Sequence, residues 1–198
     1  VVHGLTMGEI AVMAIGEGWV KSTDLEVVRC RNYNHQTRYI LPIAPSPNLP
    51  TQHSIYLYPT TCLFEGTVVS LGRGTDAPFE VYGHPDLTGY DYTFTPAPNT
   101  GSAKPPHMGK LCYGRDLRTL PNEEIWDNGI DLSYIVEAYH NLAIEEKFFT
   151  PMFEKLIGVG YVREMIMAGC SAEEIEARWA EDVEKFKEQR RKYLIYNE

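Results

Sequence analysis

The chain has 198 residues, of which 43% are hydrophobic and 23% are charged, and this is an ordinary composition for a globular protein with one sizeable core. Its formal net charge of −9 argues against a nucleic-acid partner, because phosphate backbones are bound by clustered Lys and Arg. No apolar run approaches the length that a membrane-spanning helix needs, so we expect no membrane span.

Cysteine and histidine spacing gives no sign of a metal or redox centre. Cys30, Cys62, Cys112 and Cys170 form no CxxC pair, and each has apolar or aromatic neighbours, so we predict small buried side chains and no disulfide frame. The six His residues show no HExxH motif or other close ligand spacing. We therefore expect neither a metal site nor a cofactor.

The first forty residues predict a helix, a strand and a polar loop. Thr6 and Glu9 have the spacing of a capping box, so a helix should begin after Thr6 and end near Gly16 and Gly18. The sequence LEVVRC at residues 25–30 is β-branched and short, which indicates a strand. The polar loop that follows contains His35, which either lines a cleft or belongs to an ordinary surface loop.

Residues 42–117 predict several short strands with long connections. We predict a strand or a short buried segment at residues 54–58 and strands at 79–82 and 110–117, with an edge strand at 90–94. Residues 60–70 fit a helix as well as a strand, so both stay open. The turn around Gly72 and Gly74 requires unusual backbone angles.

The remaining third of the chain is helical in pattern. Apolar residues recur at helical spacing in residues 131–145, 151–157, 159–168 and 171–193. The last of these helices opens with a second capping box, formed by Ser171 and Glu174. We therefore predict an α+β fold with a small mixed or antiparallel sheet, and one domain in which residues 1–130 carry the sheet and 131–198 the helical segment.

Two residues in the stretch 45–85 are candidates for chemistry. Glu65 lies between apolar residues and Gly66, so it would be desolvated and suited to act as a general acid. Arg73 lies between two glycines, where its guanidinium and backbone amides can converge on an anion. The alternative is equally strong at this point: Glu65 and Arg73 are eight residues apart and can form an ion pair that only holds a loop in place.

A series of motifs runs in order from about His3 to Tyr196, namely HGLTMGEIA, NYNHQTRY, APSPNLPT, SIYLYPTTCLFEGT, SLGRGTDAPFEVYGHP, GIDL, FF and KYLIY. This ordered series resembles the bacterial exo-β-N-acetylmuramidases of the NamZ type, a glycoside hydrolase family (family 171) first catalogued as a domain of unknown function. The resemblance implies that the chain is the C-terminal part of a longer protein. It also implies a Rossmann-like N-terminal domain, absent from this chain, and an active site in the cleft between the two.

The resemblance further implies a function and a set of site residues. Family members are exported to the periplasm or secreted, and they release terminal N-acetylmuramic acid from the non-reducing end of peptidoglycan. The cleft candidates are Glu65 as a catalytic residue and a substrate-binding set consisting of His35, Asn48, Gly66, Arg73, Gly74, Thr75 and His84. Arg73 is the expected partner of the lactyl carboxylate of the sugar. Two other functions stay open, namely a peptidoglycan-binding module without catalysis and a structural interaction domain.

Overall fold

The structure of the protein, a computed structural model, describes residues 2–198, and their contacts divide them into two units. The larger one, Leu41–Ile175, is called the core unit here. The smaller one joins two distant stretches of the chain, Val2–Ile40 and Glu176–Glu198, and is called the terminal unit. The single domain expected from the sequence stays a prediction, because contacts within one structure do not measure independent folding.

Within residues 2–198 the fold is α+β, with seven α-helices, two 3₁₀ helices and three strands. The α-helices are α1 (Met7–Gly16), α2 (Gln52–Thr61), α3 (Asn122–Asn128), α4 (Ser133–Leu142), α5 (Phe153–Ile157), α6 (Tyr161–Met167) and α7 (Ala172–Arg191). The 3₁₀ helices are Cys62–Gly66 and Glu145–Phe148, and the strands are β1 (Val81–His84), β2 (Tyr92–Phe94) and β3 (Cys112–Asp116). None of these helices is long and apolar enough to cross a membrane.

The three strands form one antiparallel sheet in the order β1-β3-β2. The sheet is therefore antiparallel, and β2 is an edge strand as its alternating pattern predicted. One face of the sheet carries Val81, Phe94 and Cys112, which are buried together with Ala77. The other edge of the sheet is extended by Ser70, whose backbone exchanges two hydrogen bonds of 2.8 Å with Gly83. This bridge ties the loop that contains Arg73 to β1.

Helix α1 begins as the capping box predicted. Thr6 accepts a hydrogen bond from the backbone amide of Glu9 at 3.3 Å, and the Glu9 carboxylate accepts one from the amide of Thr6 at 2.7 Å. The helix ends at Gly16, and Gly18 follows with φ +71°, a conformation that glycine adopts without strain. Local sequence signals alone were sufficient at this position.

Residues 54–58 are helical, so the strand predicted there is wrong. They lie inside α2, which begins at a capping box made by Thr51 and Ser54 and contains Pro59. Alternating apolar residues favoured a strand, but the hydrogen bonds of the cap satisfy the first backbone amides of a helix instead. Residues 60–70, left open between helix and strand, hold the end of α2, the 3₁₀ helix Cys62–Gly66 and two isolated bridges at Thr67 and Ser70.

Residues 25–30 form no strand in the structure, which contradicts a second prediction. A strand needs a partner for its backbone groups, and none of residues 2–198 supplies one. Cys30 at the end of this segment is exposed, so its predicted burial is also wrong, whereas Cys62 and Cys112 are buried as expected. Cys170 is intermediate, and all four thiols are free.

The helical third of the chain follows the predicted pattern. Helices α4, α5, α6 and α7 lie inside the four segments with helical spacing, and Ser171 and Glu174 form the second capping box with hydrogen bonds of 2.8 and 3.3 Å. Helix α3 was not predicted. It has no side-chain cap, and only Glu123 and Glu124 in its first turn favour a helix there.

Candidate functional site

Glu65 is presented by a short 3₁₀ helix whose other residues are buried. Cys62, Leu63, Phe64 and Gly66 all face the protein interior, and Glu65 is the one side chain that reaches outward. Its side chain is 29% exposed. The desolvated carboxylate predicted from its apolar neighbours is therefore not what the structure shows, because a 3₁₀ turn places adjacent residues on different sides of the chain.

Arg73 lies on a tight turn that needs glycine on both sides. Gly72 has φ +80° and Gly74 has φ +82°, both in the left-handed region. A Cβ atom at Gly72 would lie 2.6 Å from the carbonyl oxygen of Ala77, so a larger residue would displace the backbone. The Thr75 hydroxyl donates a hydrogen bond of 2.7 Å to the Gly72 carbonyl and holds the turn closed.

The two candidate residues meet directly. Arg73 Nη2 donates a hydrogen bond of 2.6 Å to Glu65 Oε1, and the Arg73 side chain is 28% exposed. The guanidinium carbon of Arg73 lies 5.1 Å from the centroid of the Phe79 ring. The ring of Tyr58 packs on the same phenylalanine, with the two ring centroids 5.0 Å apart. Burial raises the pKa of Tyr58, and nearby Cys62 and Glu65 add to this shift. The site is therefore an ion pair on an aromatic support.

Phe79 was not predicted as part of the site, and its backbone is unusual. It is buried and has φ +64°, which costs a non-glycine residue on the order of 1–3 kcal/mol. Two hydrogen bonds hold it in place, from its amide to the Leu71 carbonyl at 2.8 Å and from the Thr61 hydroxyl to its own carbonyl at 3.1 Å. No sequence pattern indicates a phenylalanine with a left-handed backbone conformation, so only the structure could identify it.

Glu80 is a second carboxylate that sequence reasoning passed over. It is 5% exposed and accepts a short hydrogen bond from the hydroxyl of Thr51, the N-cap residue of α2. An anion at this position is favoured by the partial positive charge of the helix N-terminus. Glu80 lies between apolar residues in the sequence, but we predicted it only as part of a strand.

Three other predicted residues support loops. Asn48 Nδ2 donates a hydrogen bond of 2.7 Å to the Gly101 carbonyl and so fixes a distant loop. A Cβ atom on Gly66 would lie 2.5 Å from the backbone of Phe153, and one on Gly74 would lie 2.5 Å from Pro105. The protein itself covers Gly66 and Gly74, so in this structure neither leaves open space for a ligand.

His84 pairs with a residue that the sequence did not single out. Its ring centroid lies 4.5 Å from that of His107, edge to face. His107 Nε2 donates a hydrogen bond of 2.7 Å to the Val68 carbonyl, and His84 Nδ1 accepts one of 3.1 Å from the amide of Asp86. Burial lowers the pKa of His84, and the neighbouring His107 lowers it further. Both effects favour the neutral form of the His84 ring.

His35 belongs to the terminal unit, whereas the other candidates belong to the core unit. Its Nε2 atom lies 3.0 Å from Oε1 of the buried Glu9. This contact explains the position of His35 without any ligand. Residues 2–198 contain no group of three or more His, Cys, Asp or Glu side chains that could hold a metal ion.

An ion pair over an aromatic ring is not unusual in this protein. Arg163 donates a hydrogen bond of 2.8 Å to Glu154 and lies 5.1 Å from the centroid of Phe149, with side chains 28% and 34% exposed. This pair in the core unit has almost the same geometry as Arg73 with Glu65. It differs in its backbone, because Phe149 has φ −94° and no glycine turn presents the arginine. The second pair therefore serves as a structural control.

Comparison with known proteins assigns the chain to a family. The family described as "Exo-beta-N-acetylmuramidase NamZ, C-terminal" matches residues 56–196, and the corresponding N-terminal family matches residues 1–53. The chain belongs to the NamZ family. The boundary between the two matches falls at the start of α2, so the chain carries sequence from both families.

Known NamZ relatives are about twice as long as this chain. It is 34% identical to "Peptidoglycan beta-N-acetylmuramidase NamZ" of Bacillus subtilis (strain 168), over 98% of the chain and 50% of the relative. A crystal structure of a DUF1343 family protein from Bacteroides fragilis NCTC 9343 is 57% identical, with a TM-score of 0.97 over 100% of this chain and 57% of that one. A second such protein from the same organism shares only the fold, at 20% identity and a TM-score of 0.74, with 98% and 56% covered.

Proposed function

We propose that this chain is part of a peptidoglycan exo-β-N-acetylmuramidase, a glycoside hydrolase that removes N-acetylmuramic acid from the non-reducing end of glycan strands. The observation that carries the proposal is the NamZ family match over residues 56–196. The Bacillus subtilis relative, a peptidoglycan beta-N-acetylmuramidase by name, supports the same substrate and bond. Because the substrate is cell-wall material, we place the protein outside the cytoplasmic membrane, in the periplasm or secreted.

Glu65 and Arg73 are the residues that we assign to the sugar. In this structure the guanidinium of Arg73 is paired with the Glu65 carboxylate. The lactyl carboxylate of N-acetylmuramic acid is a planar anion that a guanidinium can bind through two parallel hydrogen bonds. Substrate binding would then draw Arg73 away from Glu65 and free that carboxylate for catalysis. Thr75 and the two glycines of the turn would hold Arg73 in the required position.

A glycosidase of the usual kind needs two carboxyl groups about 5–10 Å apart. We propose that the second one lies on a Rossmann-like N-terminal domain of the same polypeptide, most of which lies outside this chain. Relatives of twice the length support this arrangement. The isolated chain would accordingly bind sugar weakly and hydrolyse nothing.

The test is a comparison of matched variants in the complete protein. Glu65→Gln should lower kcat for a chromogenic N-acetylmuramic acid glycoside by about 100-fold or more, since a positioned carboxyl contributes roughly that factor. Arg73→Ala should mainly raise KM. The controls are Glu154→Gln and Arg163→Ala, which break the equivalent ion pair on Phe149 and should leave both constants near wild type.

Thermal unfolding separates catalysis from folding in the same set of variants. If Glu65→Gln or Arg73→Ala lowers Tm but leaves the activity of the folded protein unchanged, the pair is structural and the site assignment is wrong. If the complete wild-type protein binds peptidoglycan fragments but does not hydrolyse them, the proposed enzyme function is wrong and the protein is a peptidoglycan-binding module.

A further inference from the structure

Residues 25–30 have the sequence of a strand but form none in the structure. Within this segment Val27 alone is half-buried, and its neighbours on both sides are exposed. Val27 is half-buried and packs on α1, where a Cβ atom on Gly8 would lie 2.5 Å from Val27 Cγ1. Val28 points elsewhere and is 86% exposed. Val27 and Val28 thus face in different directions, as adjacent residues of a strand do.

Most backbone N–H and C=O groups of this segment also lack hydrogen-bond partners among residues 2–198. Within residues 2–198, no backbone–backbone hydrogen bond involves residues 21–33. The one side-chain bond to the main chain of residues 25–30 comes at its end, where the amide of Cys30 donates 2.9 Å to the hydroxyl of Tyr196. A β-branched segment with two free edges pairs readily with another strand, and proteins normally cover such edges.

Exposed apolar side chains are frequent along the N-terminal stretch of the terminal unit, Val2–Ile40. Met7 on α1 is 80% exposed, an unusual state for so large an apolar residue at a helix start. The other large apolar side chains exposed between residues 2 and 40 are Val2, Trp19, Val20, Leu25, Val28, Tyr39 and Ile40. Single exposed apolar residues are ordinary, but eight of them between residues 2 and 40 are many for a surface that faces water.

The comparisons indicate an element that would cover these side chains. Residues 1–53 match the NamZ N-terminal family, and the chain spans only about half of its relatives. These residues therefore have the sequence of a domain most of which lies outside this chain. We propose that residues 25–30 are a strand of the β-sheet of that N-terminal domain, paired with a strand outside this chain, and that Val28 is buried beneath it. The proposal rests on the longer polypeptide described above but not on its muramidase activity.

Hydrogen–deuterium exchange on the complete protein tests this directly. The amides of residues 26–29 should exchange at least about 100-fold more slowly than those of the exposed loop at Ala103 and Lys104, which donate no backbone hydrogen bond within residues 2–198. Exchange as fast as in that loop would overturn the proposal. Protection that appears only as the protein dimerises with rising concentration would also overturn it, because the partner would then be a second copy.

A pair of variants links the protection to Val28. Val28→Lys should raise exchange at residues 26–29 by about tenfold or more, whereas Val28→Ile should leave it unchanged. The control is Val183→Lys on α7, which changes a valine that is 42% exposed and lies outside the N-terminal family match. Equal exchange in wild type and Val28→Lys would show that Val28 stays in solvent. If Val28→Lys does not fold, the wild-type experiment still decides the question.

Because exchange is read without substrate, the result is independent of the proposed function. An inactive protein with protected amides would retain this inference and lose the muramidase assignment. An active protein with unprotected amides would do the reverse.

Discussion

Glu9 is a buried carboxylate whose charge is satisfied entirely by neighbouring donors. It is 0% exposed and accepts hydrogen bonds from the amide and hydroxyl of Thr6, from the amides of Ile195 and Tyr196, and from the ring of His35. Burial alone would raise the pKa of Glu9. The hydrogen bonds from Thr6, Ile195 and His35 outweigh it and lower the pKa to about 2. Glu9 thus joins both stretches of the terminal unit.

This arrangement predicts acid sensitivity of the terminal unit. The pKa of Glu9 is lower in the folded state than its ordinary value of 4.5, so its contribution is present above pH 4.5 and is lost as pH falls towards about 2. The shift corresponds to about 3 kcal/mol. Glu9→Gln should therefore destabilise the protein at pH 7 and flatten the pH dependence of unfolding between pH 2 and 4.5, measured by circular dichroism.

The control for Glu9 is an exposed carboxylate. Glu146→Gln changes a side chain on the surface of the core unit and should leave the acid transition in place. If Glu9→Gln unfolds at the same pH and with the same stability as wild type, its hydrogen bonds contribute no net stabilisation.

At the scale of elements, the sheet depends on one close approach between β1 and β3. Gly114 on β3 lies opposite Gly83 on β1, and a Cβ atom added at Gly114 would lie 1.8 Å from the carbonyl oxygen of Tyr82. Neither strand can move freely, because β3 is paired on both sides. Two facing glycines therefore set the spacing at the centre of the sheet.

Gly114→Ala should destabilise the core unit by about 2 kcal/mol or more, since overpacking against backbone forces the strands apart. Denaturant unfolding followed by fluorescence measures the loss. Gly160→Ala is the matched control, because nothing lies within 4 Å of a Cβ atom there and its φ is an ordinary −79°. A Gly114→Ala protein as stable as the control would mean that the strands separate at no cost.

The N-terminus of α2 combines a helix cap with a buried charge. Thr51 accepts a hydrogen bond of 2.9 Å from the amide of Ser54 and donates one to Glu80. Thr51→Ala should therefore lower the free energy of unfolding by about 1 kcal/mol through loss of the cap. The Glu80 carboxylate left without this donor should lower it by about a further 1–3 kcal/mol. Ser171→Ala at α7 removes an exposed cap and should cost about 1 kcal/mol only.

Chemical denaturation of the two cap variants measures the difference between them. Equal losses would show that the hydrogen bond from Thr51 does not stabilise Glu80. This comparison also bears on the candidate site, since Glu80 directly follows Phe79, the ring beneath Arg73.

At the scale of the whole molecule, helices were easier to predict than strands. α1 and α7 begin at capping boxes whose two residues are three positions apart, so every interaction that starts them is local. Residues 25–30 show the opposite case. Their sequence favours a strand, but a strand forms only where another strand pairs with it.

The candidate site was predictable from the sequence only in part. Glu65 and Arg73 are eight residues apart, and the sequence supported their pairing as one of two readings, which the structure shows as a contact of 2.6 Å. Phe79, the bond between Thr51 and Glu80, and the packing of His84 on His107 were not predictable. Each joins residues that come together only through the sheet and its loops, or depends on a backbone angle that composition does not reveal.

The sequence by itself determined α1, the helices α4 to α7, the three strands at residues 81–116 in outline, the ion-pair candidates and the resemblance to NamZ enzymes. These follow from local hydrogen bonding, side-chain periodicity and ordered motifs, which act over a few residues. Only the tertiary structure decided that the Glu65 side chain is partly exposed and paired with Arg73, and that residues 25–30 lack a partner. The reason is that burial and strand pairing depend on segments far away along the chain.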